Sequence, residues 1–171
     1  PTDRGESSLS IERNHFSVRR RLLASLPLLP LLGHKALAGQ PAEMAGGAID
    51  WPVLRELRGK VVLVDFWASW DGPSRVQGMY KKKAFQKFGN KNFFLVSISL
   101  DPEKEMWKQA IKQDEYNWTQ LIDEKAWMGP AVLAFKFDSL PFNFLIDPDG
   151  RIIDKALYGD SLLVKLNQLF R

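Results

Sequence analysis

Any chemistry this chain performs must come from carboxylates, hydroxyls and amines, because its 171 residues include no Cys and only two His, His15 and His34. Both imidazoles fall within residues 1–38, ahead of the region that reads as a folded domain. Disulfide exchange by the chain's own residues, thiolate or His metal sites, and Ser-His-Asp or Cys-His nucleophilic catalysis are therefore excluded for that domain. The residues of interest sit in KVVLVDFWASWDGPSR, residues 60–75. Asp65 is a carboxylate inside an apolar run, and Asp71 and Ser74 follow at its end. One carboxylate raised in pKa by burial beside a second that stays ionised would make a general acid and base pair. The simpler reading, and the preferred one, makes Asp65 a buried acid, protonated or hydrogen-bonded, and Asp71 a helix cap. Ser74 has no imidazole to activate its hydroxyl. Asp147-x-Asp149-Gly150 holds part of a calcium loop but lacks the third acidic position and the distal Glu, so it reads as a turn. No metal and no cofactor are expected. Lys81, Lys82 and Lys83 read as a solvated helix face, with an acidic partner as the less favoured alternative.

These residues need elements to position them. The run KVVLVDFWA is continuous and β-branched at Val61, Val62 and Val64, the pattern of a central buried strand. Residues 74–88 read as a helix with Val76, Tyr80, Ala84 and Phe88 on its inner face and Lys81, Lys82, Lys83 and Lys87 in solvent. NFFLVSIS, residues 92–99, is a second buried strand. Asp101-Pro102-Glu103 then opens a helix with Asp101 as its N-cap, running to about Gln113. A short helix is expected over 129–135, two strands about a turn at 147–150, and a final amphipathic helix over 161–170 presenting Leu162, Leu163, Leu166, Leu169 and Phe170. Residues 51–57 read as a short helix with Pro52 in its first turn. A βαβ unit followed by a ββα unit predicts an α/β domain with a mixed sheet and helices on both faces. Trp107, Trp118 and Trp127 read as core or rim residues.

The chain's net charge of +4 does not mark a nucleic-acid surface. Residues 1–38 hold six basic and three acidic side chains, which leaves a net +1 for everything after them. In that first segment Arg19, Arg20 and Arg21 precede an apolar run at 22–32, and Ala36-Leu37-Ala38 offers a small-x-small cleavage pattern. The reading is an export signal over 1–38, by the general or the twin-arginine route, with a Gly-rich linker at 39–51 and one domain at 52–171. The apolar run is far short of the roughly 20 residues that span a bilayer, so no stable membrane span is expected after signal removal.

Two motifs, GKVVLVDFWASW-x-GP-x-R and LPFNFLIDPDGRI, together with the order of elements, resemble the thioredoxin superfamily, and within it the exported thiol-disulfide oxidoreductases of the TlpA and ResA type grouped with the AhpC/TSA domains. The resemblance covers about residues 52–171 and implies a thioredoxin-like three-layer α/β/α sandwich with a mixed central sheet. It places Asp71 at the family's attacking cysteine and Ser74 at the resolving one. Asp65 falls at the buried acid, Trp70 at the Trp before the first cysteine, and Pro141, after Leu140, at the cis-proline facing the loop. The family's Glu and Pro further along the helix are absent, Gln77 and Met79 standing there. What the resemblance leaves without thiols is a docking surface: Trp70, Gly72, Pro73, Leu140 and Pro141 as a shallow groove for a protein or extended peptide. The expected protein is exported and periplasmic, inactive in dithiol exchange, and binds partners non-covalently. The alternative is a genuine oxidoreductase lineage represented here by a cysteine-free variant.

Overall fold

A computed structural model of the chain describes residues 9–10 and 52–171. Apart from Leu9–Ser10, the expected export signal and linker lie outside the described residues. The elements are β1 (Leu9–Ser10), α1 (Pro52–Glu56), β2 (Val61–Trp67), α2 (Gly72–Phe88), β3 (Phe93–Ser99), α3 (Lys104–Gln113), β4 (Thr119–Asp123), a 3-10 turn (Ala126–Met128), α4 (Pro130–Phe135), β5 (Phe142–Ile146), β6 (Ile152–Lys155) and α5 (Asp160–Leu169).

The sheet order is β1-β4-β3-β2-β5-β6. Strands β2, β3 and β4 run parallel, while β5 is antiparallel to β2, and β6 to β5. The two-residue β1 lies antiparallel on the outer edge of β4. All seven residues of β2 are buried, as a continuous apolar run flanked by strands on both edges must be. One face of the sheet packs Leu63, Trp67, Phe93 and Leu95 against α2, α3 and α5. The other packs Val62, Val64, Phe66 and Ile98 against Leu57 and α4. The molecule is the expected three-layer α/β/α sandwich. The hairpin turn closes at Gly150, whose φ of +84° needs a residue without Cβ. Asp147 Oδ1 accepts from Arg151 N at 2.8 Å, so this carboxylate serves the turn.

Four expectations give way. Strand β4 is absent from the sequence reading because its five residues, TQLID, carry Gln120 and Asp123 on opposite faces and so show no apolar alternation. Both are nonetheless buried, since β4 lies between β3 and β1 under α3 and α4. On α2 the buried residues are Ser74, Gly78, Lys81, Ala84 and Phe88. A strict i+4 ladder drifts around a helix of 3.6 residues per turn, which leaves Val76 half exposed and turns Lys81 inward, opposite to the solvated position expected. Asp101 does not cap α3, which starts at Lys104 with Glu103 at the N-cap and no side-chain cap bond. On α5, Leu162 and Leu166 are buried whereas Leu169 lies largely in solvent.

Candidate functional site

The loop that follows β2 is held from both ends. Asp71 takes up extended φ and ψ and its Oδ2 accepts from Ser74 N at 2.8 Å, satisfying one of the free donors at the start of α2. Asp71 N donates to Ala68 O and Asp71 O accepts from Arg75 N. From below, Asp101 accepts from Ser69 N at 2.9 Å and Ser69 Oγ at 2.6 Å, and Ser99 Oγ also donates to it. Asp101 is fully buried, and its short side chain clasps the loop to the end of β3. The sequence reading missed this role. The only available signal was the Ser99–Asp101 spacing at a strand end.

Under the loop a polar row crosses four strands at one level. Asn143 of β5 is opposite Asp65 of β2, Asp65 is opposite Ser97 of β3, and Ser97 is opposite Gln120 of β4. All four are buried. Asp65 Oδ2 accepts from Lys81 Nζ, reaching down from α2, and from Ser97 Oγ at 3.0 Å. Trp118 Nε1 donates to the same Ser97 Oγ at 2.9 Å. Burial raises the pKa of the Asp65 carboxyl, with Lys81 and the hydrogen bonds opposing. Ser74 is fully buried on the inner side of α2 and its Oγ has no partner among the described residues.

Across from the loop, Phe66 pairs with Phe142, which sets Leu140 and Pro141 beside the end of β2. The Leu140–Pro141 peptide is cis. Tyr158 OH donates to Pro141 O at 2.7 Å, and Gly159 N donates to Gln77 Oε1 at 2.7 Å, so the segment after β6 bridges the proline and α2. Burial, with a contribution from Asp65, raises the Tyr158 pKa. Leu140 N–H and C=O have no backbone partner among the described residues. Trp70 is 54% exposed, Gly72 and Pro73 are exposed, and Leu140 and Pro141 are half-buried. Phe66, Phe137, Phe142 and Phe144 form a tilted and stacked set of rings, and Leu140 packs against the cluster that contains them.

The two carboxylates considered as an acid and base pair do not act on one another: Asp65 is committed to Lys81 and Ser97, Asp71 to the helix start. Among the described residues no group of three or more His, Asp or Glu could hold a metal.

The AhpC/TSA family model matches residues 40–155, more than half of the chain. The chain belongs to the AhpC/TSA family. Among curated relatives of this AhpC/TSA chain, the thiol-disulfide oxidoreductase ResA of Bacillus cereus is 27% identical over 105 residues, which covers 61% of this chain and 58% of the relative. ResA of Oceanobacillus iheyensis is 29% identical over 119 residues, covering 68% of this chain and 60% of the relative. The chain thus spans less than two thirds of the length of these relatives. Among solved structures, the thioredoxin domain of a thiol-disulfide oxidoreductase from Bacteroides vulgatus superposes with a TM-score of 0.66 at 31% identity, over 69% of this chain and 84% of that one. A thiol-disulfide oxidoreductase from Bacteroides fragilis gives 0.62 at 34% identity, over 66% and 82%. The AhpC/TSA chain is thioredoxin-like and similar to thiol-disulfide oxidoreductases, yet no Cys occurs anywhere in it. A carboxylate does not form a mixed disulfide, so the loss of both thiols fits a loss of redox activity.

Proposed function

We propose that this domain binds an extended protein segment non-covalently along the Trp70–Pro73 loop and the Leu140–Pro141 edge, and performs no dithiol chemistry of its own. The observation that carries the reading is the pairing of an exposed Trp70 and Gly72-Pro73 with Leu140, whose backbone groups have no backbone partner among the described residues. A partner strand adding there gains main-chain hydrogen bonds, and Trp70 supplies a flat apolar wall. Asp71 supports the same reading, because its side chain holds the loop conformation through the helix cap while being unable to attack sulfur. The reading also places the protein outside the cytoplasm, on the strength of the Arg19-Arg20-Arg21 segment and the apolar run after it.

The second reading, an oxidoreductase lineage in a cysteine-free variant, is favoured by the names of the relatives. Insulin disulfide reduction separates the two. The unaltered chain is expected to be silent, and turnover by it would overturn the binding reading. Activity in Asp71→Cys/Ser74→Cys alone would show that the scaffold still supports the chemistry its residues cannot perform.

A further inference from the structure

Helix α2 presents a second surface that shares only Gly72 with the loop surface. Gly72, Val76, Met79, Lys83 and Gln86 recur at three- and four-residue steps and line one side of an open groove of about 540 Å³. Tyr116 and Asp114, in the turn between α3 and β4, form its other wall. From Gly72 to Gln86 the groove follows about 20 Å of helix, from the α-helical rise per residue. Val76 is 50% and Met79 59% exposed, both large apolar side chains. The Tyr116 ring packs so closely on Gly78 that any Cβ there would meet its hydroxyl, so helix and turn are in contact along the floor of the groove.

The charged residues lining this groove are Arg75, Lys82, Lys83 and Asp114. Helix α2 contains five cations and no acid. Arg75 spends its charge on a two-point pair with Asp114, Lys81 faces inward to Asp65, and Lys82 meets Glu115. Lys83 has no carboxylate among the described residues, only the Tyr80 ring at 5.3 Å. One turn on, Lys87 bonds Asn167 of α5 and is not part of the groove lining. Every carboxylate beside the groove is already matched, and the unmatched charge is positive. We infer that the α2 groove docks an acidic, apolar segment of a partner protein, its apolar side chains on Val76 and Met79 and a carboxylate on Lys83. A narrow groove with two apolar anchors suits one polypeptide segment better than a lipid surface, which needs a broad apolar face with a basic rim. The inference is independent of the loop reading.

The test is selection of a displayed random peptide library, with inserts of about twelve residues to match the length of the groove, against the full chain. Enriched peptides are expected to combine large apolar residues with Asp or Glu, and to bind several-fold more weakly as salt rises and the Debye length shrinks. Met79→Glu and Lys83→Glu, both at exposed positions, are each expected to weaken binding about tenfold or more, with circular dichroism unchanged, whereas Trp70→Ala leaves it unchanged. Peptides without acidic residues, or binding that ignores Met79→Glu and Lys83→Glu, would overturn the inference. So would binding of the same face to phosphatidylglycerol vesicles but to no peptide, or a self-association removed by the same substitutions. Peptides lost only with Trp70→Ala would sink the groove and leave the loop reading standing.

Discussion

Ser74 and Lys81 show how much a single position on α2 can decide. The Ser74 hydroxyl is buried without a partner among the described residues, so it carries a desolvation cost that a methyl group would not. Ser74→Ala is expected to stabilise the domain by about 1 kcal/mol, read from the urea midpoint at constant slope. Lys81 has the reverse role, since it is the counter-ion of Asp65 in a buried pair. Lys81→Met leaves that carboxylate uncompensated and is expected to cost about 3–5 kcal/mol at neutral pH, most of it recovered by adding Asp65→Asn. Burial raises the Asp65 pKa, so the folded state holds its proton more tightly than the unfolded chain does. Stability owed to this group is therefore present at low pH and declines as pH rises above the ordinary aspartate range. Urea unfolding from about pH 4 to 8 should show the difference between the parent and Asp65→Asn falling with pH, and a flat or rising difference would contradict it. The sequence displayed Asp65 as a charge in an apolar strand, and that much was legible. Its partner was not, because which of three consecutive lysines turns inward depends on how α2 is rotated against the sheet.

At the level of elements, the loop between β2 and α2 is held by one local and one distant carboxylate. Asp71 acts within its own turn, and Asp71→Ala is expected to cost about 1 kcal/mol of stability as a lost N-cap, with Asp71→Ser close to neutral. Asp101 acts across 32 residues of chain, gathering Ser69 and Ser99. Asp101→Ala strands those hydroxyls in the interior and is expected to cost about 2–3 kcal/mol, while speeding hydrogen exchange at the Ser69 amide. Unchanged exchange there would remove Asp101 from the description of the loop. The cap was readable because capping is a rule about neighbours in sequence. The clasp resembled another cap, Asp-Pro before a helix, and only the parallel pairing of β2 with β3 brings Asp101 to Ser69. Strand β4 escaped for a related reason: Gln120 and Asp123 spoil its apolar pattern, and their burial comes from neighbours on both sides and on both faces.

For the molecule as a whole, a thioredoxin-like sandwich survives without the reagent its relatives' names imply. With the loop clasped from beneath and capped from within, Asp71→Cys/Ser74→Cys is expected to fold and to acquire measurable insulin reduction. An unfolded or aggregated double variant would show that the scaffold has been rebuilt around the acid and the hydroxyl. The sequence by itself determined the exclusion of thiol and imidazole chemistry from the domain, since an inventory of residue types needs no coordinates. It also determined the buried central strand, the capped start of α2 and the turn at Gly150, because each follows from periodicity or from contacts a few residues apart. The tertiary structure alone decided that Lys81 meets Asp65, that Asp101 holds Ser69, and that Val76, Met79 and Lys83 line a groove completed by Tyr116. Those pairings join residues far apart in the chain, and their geometry is set by strand register and by the rotation of α2 on the sheet, neither of which any short stretch of sequence encodes.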